Sequence, residues 1–70
     1  MLTSNKIRKI LEKLATSKSV TIVVDPSSNL KIRRWKNAVE VEGSIETDKE
    51  YLIEAIQFYL PYLKIKDWGR

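Results

Sequence analysis

Between Asn5 and Ala15 the apolar residues fall at Ile7, Ile10, Leu11 and Leu14. That is the i, i+3, i+4, i+7 spacing of a helix with one buried stripe. Thr3 or Ser4 is available to cap its first turn. Lys6, Lys9 and Lys13 form a basic stripe beside the apolar one, with Arg8 and Glu12 behind. After Ser17–Ser19 the pattern changes to VTIVVD at Val20–Asp25, whose β-branched aliphatics predict a strand. PSSN at Pro26–Asn29 predicts a turn. LKIRRW and AVEVEG then alternate on either side of Lys36-Asn37, which predicts two further strands.

SIETDKEYLIEAI opens a second helix. Thr47 followed by Glu50 has the spacing of a capping box, and Asp48 and Glu50 suit the positive end of a helix dipole. The expected span is Asp48 to about Leu60, because Pro61 disfavours a helical residue before it. In YLKIKDW, Leu63 and Ile65 alternate with Lys64 and Lys66. That segment fits a short edge strand, a last helical turn or a tail, with the strand preferred. The fold class is therefore α+β, one small domain over residues 1–70. Its expected order is helix, three-stranded antiparallel meander, helix, and a short C-terminal fourth strand, with the helices on one sheet face.

If Lys36-Asn37 is a two-residue turn, Trp35 pairs with Ala38, Arg34 with Val39, Arg33 with Glu40, Ile32 with Val41 and Lys31 with Glu42. Apolar residues then meet on one face and opposite charges on the other, and the agreement of both patterns specifies the register. Glu40 and Glu42, flanked by cations, stay ionised and are poor acid–base candidates. Arg34, Trp35 and Lys36 have no acidic partner in this scheme. An exposed indole beside a guanidinium can stack on bases; equally, it can lie flat over Val23 or Ala38.

On a helical wheel of the second helix, Glu50, Glu54, Gln57 and Lys64 make a polar strip, and Leu52, Ile53, Ile56, Leu60 and Leu63 an aliphatic arc. Tyr51, Phe58 and Tyr62 form a separate aromatic edge, with Ala55 and Tyr59 between. The apolar part covers roughly two-thirds of the circle, well beyond the usual arc of about 100°. The edge either packs on the first helix or receives a protein partner, including a second copy of the chain.

Composition narrows the chemistry. Seventy residues without cysteine or histidine exclude disulfides, thiolate and imidazole catalysis and the usual zinc ligand sets. No loop clusters acids as a calcium or magnesium site does. No catalytic residue, metal ligand or cofactor is expected. MLTSNKIRKIL has no apolar signal core and no run approaches the roughly 18 residues of a membrane span, so a cytoplasmic protein is expected. Residues 1–36 carry nine Lys/Arg against Glu12 and Asp25, a balance of +7. Residues 37–70 carry four against seven acids, a balance of −3. Such asymmetry predicts a basic face that favours polyanions.

KSV at Lys18–Val20, TDKE at Thr47–Glu50, the element order and the tail YLPYLKIKD resemble the thirty-eight family of archaeal and eukaryotic large-subunit ribosomal proteins. The resemblance implies a non-enzymatic, RNA-associated protein. The chain departs from that family in its apolar VTIVV and in VEVE. PYLKIK is also similar to the end of LAGLIDADG homing endonucleases, whose acidic catalytic motif is missing, so no nuclease activity is implied. Two functions are thus expected. One is nucleic-acid association, most of all RNA binding, through Lys6, Lys9, Lys13, Arg34, Trp35 and Lys36. The other is a protein-interaction module, a small regulator or inhibitor, using Tyr51, Phe58 and Tyr62.

Overall fold

Thr3 starts the first helix: its hydroxyl accepts from the Lys6 amide at 3.2 Å. In a computed structural model, which describes residues 3–66, helix α1 spans Ser4–Thr16. Ile7, Ile10 and Leu14 are its buried residues, and Leu11 packs at the margin of the same core. Strand β1 covers Ser19–Asp25 and ends in a single 3-10 turn at Pro26–Ser28. The Asp25 carboxylate accepts from the Ser27 amide at 3.0 Å and from its hydroxyl at 2.7 Å. Asn29 takes a left-handed conformation at φ 55°, which asparagine tolerates better than most side chains.

Strand β2 (Leu30–Trp35) and strand β3 (Ala38–Glu42) follow, then helix α2 (Glu46–Tyr59) and strand β4 (Lys64–Lys66). All five expected β2–β3 pairs are present, from Trp35 opposite Ala38 to Lys31 opposite Glu42. Arg33 lies 3.7 Å from Glu40 and Lys31 3.9 Å from Glu42. The sheet order is β1-β2-β3-β4. Its first two pairings are antiparallel, but β4 runs parallel to β3. The sheet is therefore mixed, because a strand reached by a helical crossover returns in the direction of the one before it. The segment after Lys66 lies outside the described residues.

Leu30, Ile32, Val39 and Val41 form one core with Ile10 and Leu14 of α1 and Leu52 and Ile56 of α2, so both helices cover the same, inner, sheet face. The start of α2 differs from the expected one. Its N-cap is Ile45, which makes no side-chain capping bond, so the Thr47–Glu50 capping box does not form. The helix gains Glu46 and Thr47 instead, closing its first turn with Lys49 N–H to Ile45 C=O at 3.2 Å. Lys49 pairs with Glu46 at 3.2 Å, and Glu46 and Asp48 supply negative charge at the dipole's positive end.

Candidate nucleic-acid interface

Alternation along each strand decides what the outer sheet face displays, since no helix covers it. Strand β1 contributes Ser19, Thr21 and Val23, which pair with Trp35, Arg33 and Lys31 of β2. Strand β3 contributes Ala38, Glu40 and Glu42. The parallel register places Lys64 beside Ala38 and Lys66 beside Glu40, while Ile65 packs on the core. Four cations (Lys31, Arg33, Lys64, Lys66) thus share this face with two glutamates. Between β2 and β3 the charges answer each other through the two ion pairs. Lys64 of β4 adds a further cation on the row of Ala38 and Trp35.

Trp35 stands on this surface with 62% of its area exposed. Its cross-strand neighbours are the small Ser19 and Ala38, so nothing bulky screens the indole from either side. Val23 is 61% exposed and is not covered by the ring. The Lys36 ammonium lies over the indole, 5.7 Å from its centroid, a cation–π distance. A shallow cleft of about 190 Å³ adjoins the indole, lined by Arg33, Trp35, Ala38, Val39, Glu40 and Lys66. An aromatic plane, a cleft and cations at reach are the components that hold an unpaired base and its phosphates.

Arg34 is not part of that surface. It is only 5% exposed, on the inner face opposite Val39. Its guanidinium donates through Nη1 to the Leu14 carbonyl and through Nε to the Lys36 carbonyl at 2.6 Å. The ring of Tyr62 lies 5.9 Å away. The expectation that Arg34 contacts a nucleic acid is corrected accordingly: strand alternation turns it inward, where it satisfies main-chain oxygens. Lys6, Lys9 and Lys13 are exposed on α1. Lys6 Nζ reaches to 3.5 Å from the Val24 carbonyl of the edge strand β1. This stripe therefore belongs to the helix layer, whereas Trp35 is on the other side of the sheet. The sequence brings the two basic groups close in number but the fold places them in different layers. Lys64, set by the helical wheel on the polar strip of the second helix, lies instead with Lys66 on β4, on the same face as Trp35. Their signal was the alternation of LKIK, readable only once β4 is placed next to β3.

The aromatic edge is divided as well. Phe58 is 76% exposed and Tyr51 and Tyr59 are also exposed, all three bordering a groove between α1 and α2. Tyr62 is exposed but sits at Arg34, away from that groove. Tyr59, in place of Tyr62, joins Phe58 in an edge-to-face contact at 4.8 Å.

Among the described residues no group of three or more His, Cys, Asp or Glu could hold a metal ion, and no helix is long and apolar enough to cross a membrane. Compared with family models, curated proteins and solved structures, the chain gives no match.

Proposed function

We propose that this protein is a small, non-enzymatic, cytoplasmic RNA-binding module that takes single-stranded RNA across its outer sheet face. The observation that carries this reading is the exposed Trp35 indole, flanked by small residues on an uncovered sheet and bordered by Arg33, Lys36, Lys64 and Lys66. Bases stack on the ring; the cations meet phosphates. Specific RNA recognition favours unpaired segments because only there are base planes free to stack. The resemblance to the thirty-eight ribosomal family supports the same class of ligand.

The test is filter binding of a single-stranded RNA oligonucleotide at low salt. Trp35→Ala should weaken binding by about 1–3 kcal/mol, the usual worth of one stacked base. Duplex DNA should bind less tightly than the single strand. Absence of any RNA affinity tighter than about 10⁻⁴ M, the weak end of non-specific binding, would reject the reading.

A further inference from the structure

We propose that the groove between α1 and α2 is a homodimer interface in which each copy inserts Phe58 into the groove of the other. The groove has a volume of about 860 Å³. Its α1 wall includes Leu11 and Ala15, its α2 wall Ala55, and Phe58 rises at its border. The short side chains of Ala15 and Ala55 leave room between the helices, and the rings of Tyr51, Phe58 and Tyr59 line the α2 side. Phe58, at 76% exposed, does not fill that room itself. One surface therefore carries both the projecting ring and the space to receive it, as a two-fold interface requires.

Area and charge favour a second copy as the occupant. Tyr51, Phe58 and Tyr59 are 47%, 76% and 62% exposed. With about 150–250 Å² per aromatic side chain, they offer roughly 300–450 Å² of open ring surface per copy. That is about half of the ~800 Å² each partner gives to a standard interface, before the α1 wall is added. The groove's rims also carry both signs: besides Glu12 on α1, they present Arg8 on α1 and Glu54 on α2. Neither makes an ion pair among the described residues. A two-fold axis running along the groove would set the Arg8 of each copy against the Glu54 of the other. The outer sheet face remains open in such a dimer, so this surface is independent of the RNA reading.

Sedimentation equilibrium of the full chain tests the proposal. The parent should dimerise with a dissociation constant in the range of about 1–100 μM, as expected for an interface of this modest size. Phe58→Glu should raise that constant at least tenfold while thermal unfolding of the monomer is unchanged. Arg8→Glu and Glu54→Arg should each weaken association, and the double exchange should restore it to near the parent's value. A parent that stays monomeric to about 1 mM, well above the expected range of constants, overturns the proposal. So does a dimer indifferent to Phe58→Glu, or a double exchange no tighter than either single change.

Discussion

The guanidinium of Arg34, on the second strand, donates to the main-chain carbonyl of Leu14, in the last turn of the first helix. Helix ends leave carbonyls without partners. Here Glu12 C=O accepts from the Thr16 hydroxyl at 2.9 Å and Lys13 C=O from the Ser17 amide at 3.1 Å. Arg34 adds a donor to the Leu14 carbonyl from a residue twenty positions away, with a cation at the negative end of the dipole. The same side chain holds Lys36, at φ 55°, through its carbonyl. Helix end and hairpin turn are thus fastened by one buried cation.

Replacing that cation should therefore act on stability rather than on binding. Arg34→Met leaves two main-chain oxygens without a donor and should cost about 2–4 kcal/mol, measured by urea unfolding. Arg34→Lys, which cannot reach both carbonyls as a planar fork does, should fall in between. RNA affinity per folded molecule should not change. A variant of parental stability with lost RNA affinity would return Arg34 to the surface.

The hairpin register gives a second expectation. Exchanging Arg33 and Glu40 for one another keeps the 3.7 Å pair and should alter stability by less than about 1 kcal/mol. Arg33→Glu alone sets two carboxylates face to face and should be worse than the exchange. Equal losses in urea from the single and double variants would contradict the pairing.

How much of this was readable beforehand depends on whether local patterns agreed. In β2 and β3 the apolar and charged positions both repeat every two residues, and the register follows from either. At α2 the local signals competed. The capping residues at Thr47 and Glu50 lost to an earlier start that adds two residues and the Lys49–Glu46 pair. For Arg34, charge suggested the surface while alternation with Leu30 and Ile32 pointed inward. Alternation won because a helix end needed a donor. The direction of β4 required knowledge of the crossover, which no short window contains, and with it went the cations beside Trp35.

Salt dependence separates the two basic groups. With about four phosphates engaged at the outer face, the log–log slope for single-stranded RNA should be roughly −3, from about 0.7 counterions per phosphate. Changing Lys64 and Lys66 together to glutamine should flatten it by more than one unit. Changing Lys9 and Lys13 together should leave it nearly unaltered, since they lie in the helix layer. The opposite ranking in filter binding across a salt series would move the footprint to α1.

Acid should loosen the first turn of the chain. The Ser27 hydroxyl, and after it the Ser27 amide, hold the Asp25 carboxyl below the ordinary carboxylate value. A depressed folded value means that this contribution is complete above the unfolded value of about 3.9 and is lost as pH falls through the folded one. Ser27→Ala should raise the Asp25 midpoint towards that ordinary value in an NMR titration of its side-chain carboxyl carbon. An unmoved midpoint would show that the hydroxyl contributes nothing.

Strand β4 is three residues long and joins β3 only after the whole of α2 has crossed the sheet. Neighbouring hairpin strands close short loops, whereas this pairing closes a long one, so it comes late in folding and opens early. The outermost rung of the sheet is consequently its most readily exchanging part, and two of the cations around Trp35 ride on it. A ligand lying across the sheet would tie that rung down. Amide exchange at Ile65 and Lys66 should slow on RNA binding more than at the fully buried Ile32 or Val39, whose protection should already approach that of global unfolding. The sheet's edge would then be finished by its ligand.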